Sequence, residues 1–180
     1  MNSPTQINVR RLSYKDSLLC YELSSHILAK LKKYYPKEII DRYDSTLQKE
    51  FTRILINERT HILGAFIDNE PAGLAVGRER AGLLHIEFLG SIHGGWDTER
   101  QLLNSLEAIA QSKNLYRVYL ATSAKNTEDI SFFIKSGYGV DWRMRNYWYG
   151  WHYVQLSKQI HSKDWGEIDL SPDFNPEASH

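Results

Sequence analysis

The chain has 180 residues, 42% of them hydrophobic and 24% charged, with 22 basic and 22 acidic side chains and a formal net charge of zero. That length suits one domain around one hydrophobic core, and the neutral balance excludes a global field that would draw the chain to nucleic acid. No apolar run nears the roughly 20 residues of a membrane helix, and the single cysteine, Cys20, excludes an internal disulfide framework.

The opening "MNSPTQINVRRL" lacks the charged start and apolar stretch of a signal peptide. With one cysteine, this points to a reducing cytoplasm. The last stretch, from residue 161, holds five acidic side chains against one lysine and no apolar periodicity. It reads as a loosely ordered acidic tail on a single domain of residues 1–160.

"INVRRL" (7–12) reads as a first strand. Asp16 is placed to cap a helix in which Leu19, Leu23, Ile27 and Leu31 form one apolar row. Pro36 ends that region, and a second helix is expected from Ser45 to Asn57. "THILGAFID", the turn "NEPAG" and "LAVGRE" read as a hairpin. "LLHIEFLGSI" (83–92) is the next strand, interrupted by Gly90. Strict alternation would put His85, Glu87 and Leu89 on one face, and Leu84, Ile86 and Phe88 on the other.

Two adjacent glycines, Gly94 and Gly95, precede an amphipathic helix marked by Leu102, Leu103, Leu106, Ile109 and Ala110. "LYRVYLATSA" follows as a strand. Asn126 caps a short helix that Gly137 closes in the left-handed position. The aromatic-rich end, "YGVDWRMRNYWYGWHYVQLSK", reads as two strands around Gly150. Three successive central strands and flanking helices predict an α+β fold, a mixed and mostly antiparallel sheet of about seven strands covered by about four helices.

In this order of elements, residues 7–158 resemble the GNAT-type N-acetyltransferases. "DNEPAGLAVGR" is similar to that family's second hairpin, "NTEDISFFIKSGY" to its last helix, and "WHYVQLSKQI" to its closing strand. Asn126, Phe132, Lys135, Gly137 and Tyr138 fall at matching offsets. The resemblance implies transfer of an acetyl group from acetyl-CoA to a primary amine of a small molecule or peptide, by direct attack. No metal is expected, since the seven histidines show no HxxxH or HExxH spacing and one cysteine cannot build a thiolate zinc site.

Under the resemblance, main-chain groups of Leu89, Gly90, Ser91 and Ile92 would hold the acetyl and pantetheine portions of acetyl-CoA, with Gly90 permitting a bulge. The pyrophosphate loop would span Gly94, Gly95, Trp96, Asp97, Thr98 and Glu99. Gly94, Asp97 and Glu99 depart from the family's basic, glycine and small residues. Such a loop works through free N–H groups at a helix N-terminus. Asp97 as N-cap, with a Thr98–Gln101 capping box, would consume those donors. The stretch therefore reads equally as a cofactor loop and as a helix that satisfies its own first turn, with Arg100 or another basic group as compensation for the carboxylates.

Glu87 is the expected proton acceptor for the amine, with His85 as its substitute or partner, and two side chains facing water as the plain alternative. Phe133 stands where relatives carry a tyrosine that protonates the thiolate, which leaves Tyr138 as candidate acid. Arg143 and Arg145 among the aromatics could recognise an acceptor's carboxylate or phosphate. The simpler reading of that hairpin is packing and a homodimer contact. Two other functions fit the same residues: a noncatalytic binding module, and transfer from a larger or carrier-bound acyl donor.

Overall fold

The computed structural model describes residues 6–161, so the acidic tail beyond residue 161 lies outside the described residues. Seven strands form one sheet: β1 Ile7–Arg11, β2 Thr60–Ile67, β3 Glu70–Arg80, β4 Leu83–Ser91, β5 Arg117–Ser123, β6 Gly139–Trp148 and β7 Trp151–Gln159. Their spatial order is β1-β2-β3-β4-β5-β7-β6, and every neighbouring pair is antiparallel except β4 with β5. Four α-helices accompany the sheet: α1 Ser17–Leu31, α2 Lys37–Leu55, α3 Asp97–Ser112 and α4 Thr127–Lys135. This is the expected α+β architecture.

The sheet separates two apolar cores. On one face Leu23 and Ile27 of α1 and Phe51 of α2 pack with Leu74, Val76 and Phe88. On the other, Leu102, Leu103 and Leu106 of α3 and Phe133 of α4 pack with Leu84, Ile86 and Leu156. Burial from Ala72 to Gly77 is continuous because β3 is covered on both faces, which explains its small apolar run.

Several local expectations change. Asp16 is the N-cap residue of α1, but its side chain makes no capping bond to that helix; it closes the preceding 3₁₀ turn, Tyr14–Asp16, accepting from the Ser13 N–H and hydroxyl at 2.8 and 2.9 Å. α2 starts at Lys37, directly after Pro36, and its first turns bury Ile39 and Ile40. Its N-terminus has Pro36 at the cap position and no side-chain cap, so the cap signal that would announce this earlier start is missing. Asn126 does cap α4, accepting from the Asp129 N–H, and Gly137 closes that helix at φ +89°.

Candidate active-site cleft

β5 pairs with β7 along its whole length, but with β4 for three residues only: Leu83 with Arg117, Leu84 with Val118, and His85 with Tyr119. Past His85 the two parallel strands part in a V. Phe88 to Ser91 keep only β3 as their strand neighbour. The edge of β4 that faces the gap therefore has no strand partner there among the described residues.

The bulge lies at Glu87 and not at Gly90. Val76 pairs with Phe88 and Gly77 with Ile86, so Glu87 is the extra residue on β4. Alternation is reset at that point. Leu84 and Ile86 face the α3 core, Phe88 faces the α1 core, and Leu89 packs against the α3 side. His85 and Glu87 consequently do not share a face with Leu89. Gly90 has a different reason: a Cβ there would lie 2.5 Å from Cγ2 of Ile27, so glycine lets α1 approach the strand.

A cleft of about 620 Å³ runs through the parting of the strands. Towards α4 it is lined by Asp129 and Phe133, and towards α1, α2 and the β6–β7 hairpin by Tyr35, Tyr43, Met144, Tyr147, Trp148 and Tyr153. His85 and Glu87 line it between these ends. A second hollow of about 270 Å³ adjoins at Tyr43, His85, Glu87 and Trp148, and adds Arg42 and Arg78.

His85 stacks on Tyr119, with ring centroids 4.7 Å apart and planes 17° from parallel. Its Nδ1 lies 3.8 Å from Glu87 Oε1, beyond hydrogen-bond length, and is buried without a hydrogen bond. Glu87 Oε2 lies 3.1 Å from Arg78, and Oε1 lies 3.5 Å from Arg80. Burial pushes the Glu87 carboxyl upward, but His85 and the two guanidiniums outweigh it and hold the group below the usual value.

Arg143 and Arg145 are exposed and line neither hollow; Arg42, Arg78 and Arg80 do. These three come from α2 and β3, so no local run of sequence announces them. The aromatics of the hairpin divide likewise. Met144, Tyr147, Trp148 and Tyr153 line the cleft, while Trp142 stays exposed.

After β4, α3 begins at Asp97 with Trp96 as its N-cap residue, and no side chain hydrogen-bonds that cap. Asp97 is thus not the cap, and the Thr98–Gln101 capping box does not form; Thr98 is instead buried beside Gly73. Glu99 turns inward: Ser91 Oγ lies 2.6 Å from its Oε1, and its buried Oε2 makes no hydrogen bond. Gly94 and Gly95 are open, with nothing within 4 Å of a notional Cβ, and Gly95 has φ +90°. Trp96 stacks on Phe132 at 4.6 Å, and Arg100 lies over the same ring. Lys30 of α1 donates to the carbonyls of Ser91 (3.2 Å) and His93 (3.3 Å), bringing a cation to this loop.

These features fit an anionic cofactor tail better than the sequence alone suggests. The first-turn N–H groups of α3 are left uncapped by side chains, one of the two carboxylates is turned away, and Lys30 and Arg100 stand nearby.

Asp129 is the residue that sequence reasoning missed. It sits one turn before Phe133 on α4, with its carboxylate accepting from the Asn126 side chain. Burial, then the nearby Glu99 and Glu128, push its carboxyl up to about 7. The only sequence signal was an acidic first turn, which reads as ordinary helix-dipole chemistry. Tyr138, by contrast, belongs to the core: it packs on Phe133, its hydroxyl is buried without a partner, and burial drives its pKa far upward. The structure therefore removes Tyr138 from the cleft.

No family model matches the sequence, and no curated protein matches it either. Solved structures do. The PaiA N-acetyltransferase from Thermoplasma acidophilum, in complex with coenzyme A, superposes with a TM-score of 0.70 at 21% identity, over 86% of this chain and 99% of that one. The fold is that of the GNAT acetyltransferases. A GNAT-family acetyltransferase from Streptococcus pneumoniae matches with a TM-score of 0.64 at 14% identity, over 87% and 100% of the two chains. A variant of the spermidine N-acetyltransferase SpeG from Vibrio cholerae matches at 0.64 and 15% identity, over 86% and 94%.

Proposed function

We propose that this GNAT-fold chain is an acyl-CoA-dependent N-acetyltransferase that moves an acetyl group from acetyl-CoA to a primary amine. The observation that carries the reading is the parting of β4 and β5 beyond His85 and Tyr119. The cleft at that parting holds a histidine and a glutamate, and the N-terminus of α3, left uncapped by side chains, follows β4 in the chain. When bound, acetyl-CoA supplies an activated acetyl group as a thioester.

The first turn of α3, with Gly94, Gly95, Trp96 and Thr98, would hold the pyrophosphate, assisted by Arg100 and Lys30. Main-chain groups from Leu89 to Ile92 would hold the pantetheine arm, between β4 and the Asn126-capped start of α4. Of the two candidate bases we assign proton removal to the His85 imidazole. Glu87, held ionised by Arg78 and Arg80, is a weak base. On the opposite wall, Asp129 can hold and release a proton near neutral pH, which Phe133 and the buried Tyr138 cannot.

Calorimetric titration with acetyl-CoA and with CoA tests the reading. Saturable binding of both at micromolar ligand, with thiol release on addition of amines, is the expected result. Absence of heat at high micromolar acetyl-CoA would overturn it.

A further inference from the structure

Resting on the acetyl-transfer reading, we propose that the acceptor is an amine whose own body carries a carboxylate and an aromatic or similarly flat apolar segment, and is not a polycation. Charge at the acceptor end gives the first argument. Arg42, Arg78 and Arg80 stand there with His85; of the two carboxylates among the described lining residues, Glu87 is at this end and Asp129 at the α4 end. Glu87 is shared between Arg78 and Arg80, and Arg42 spends a donor on the neutral hydroxyl of Tyr149 at 2.9 Å. Guanidinium charge is therefore in excess.

Unused donors give the second argument. Arg78 Nε is buried and makes no hydrogen bond, and a buried donor without a partner is a standing cost that a ligand's oxygen would remove. A guanidinium fork suits a carboxylate's two oxygens better than any single-point acceptor. Asp129 lies at the α4 end of the cleft, in the wall shared with Phe133, and does not offset these arginines.

Shape supplies the third. Tyr43 meets Trp148 edge to face at 6.2 Å, and Trp148 meets Tyr153 at 6.3 Å, so flat rings wall the same space. Aromatic walls alone would also hold an ammonium through cation–π attraction. The arginines on the same rim work against a second positive charge and in favour of a negative one.

The test is calorimetric titration, with and without CoA present, using pairs matched in all but the carboxylate: phenylalanine against phenethylamine, and para-(aminomethyl)benzoate against benzylamine. Spermidine serves as the polycation. The carboxylates are expected to bind at least about tenfold tighter than their partners, with spermidine weaker than either. Arg78→Gln, and separately the more exposed Arg42→Gln, should shrink that ratio, while Arg143→Gln leaves it unchanged. Equal affinity within each pair, tightest binding by spermidine, failure of both carboxylates to bind at millimolar concentration, or an undiminished ratio in both variants overturns the proposal. Binding of the carboxylates without binding of acetyl-CoA would instead sink the acetyl-transfer reading and leave this site standing.

Discussion

His85 and Tyr119 form the last rung between β4 and β5, and their rings stack 4.7 Å apart where the strands begin to part. The stack fixes the imidazole plane at the apex of the cleft and leaves Nδ1 turned towards Glu87. Replacing His85 by Gln removes the proton acceptor, and kcat should fall by about 10²-fold with little change in KM for acetyl-CoA. Glu87→Gln should cost less in kcat, because it leaves the imidazole in place. A His85→Gln enzyme with parental kcat would take the imidazole out of the chemistry.

Glu99 offers a charge-removal experiment at the N-terminus of α3. Its Oε1 is served by Ser91 Oγ, and its Oε2 is buried without a partner behind the first turn of α3. Glu99→Gln keeps the shape and deletes a negative charge near the proposed pyrophosphate site. Acetyl-CoA should bind about three- to tenfold tighter at low salt, with the gain shrinking as salt rises. Weaker binding in calorimetry would show that the carboxylate organises the loop instead of opposing the ligand.

The elements and their order were legible because their signals are local: a leucine stripe in α3, an Asn126 cap, a glycine closing α4, a two-residue turn around Gly150. What escaped was set by partners distant in sequence. The Glu87 bulge depends on the register of β3 against β4, and it exchanged the faces of Phe88 and Leu89. The arginines of the proposed acceptor end lie on α2 and β3, so the conspicuous Arg143 and Arg145 drew a role that exposed positions on β6 do not support. At Asp97 and Glu99 the sequence showed the charges but not that Glu99 turns inward, away from the donors.

Gly90 and Ile27 make the packing of α1 testable. Gly90→Ala sets a methyl 2.5 Å from Cγ2 of a side chain that is itself buried, and should cost about 1–3 kcal/mol in denaturant unfolding. Ile27→Ala removes the obstructing atom and should cost about 2–5 kcal/mol alone. In the double variant the alanine methyl occupies part of the vacated space, so the combined loss should fall below the sum. Strict additivity would mean that α1 shifts freely and that glycine is not required for its approach.

Asp129 predicts a pH dependence of stability opposite in sign to that of a salt-bridged carboxylate. Its pKa is raised from 3.8 to about 7 in the folded chain, chiefly by burial. Between those values the native state binds more protons than the unfolded state, so this group's contribution to stability declines as pH rises. It is most favourable below about pH 4, is lost progressively up to about pH 7, and the full cost of a buried charge persists above that. A rise of this size corresponds to at most about 4 kcal/mol, and partial exposure reduces it. Asp129→Asn keeps an oxygen for the Asn126 side chain and removes the titration. It should therefore raise Tm at pH 8, change it little at pH 4, and flatten the slope of stability between them. If Asn126 is the main restraint on α4, the variant should also leave the Asn126 cap intact, read as unchanged helical circular dichroism. A variant whose Tm follows the parental curve at every pH would place the Asp129 carboxyl in water, ionised throughout, and end its candidacy as a proton carrier at neutral pH.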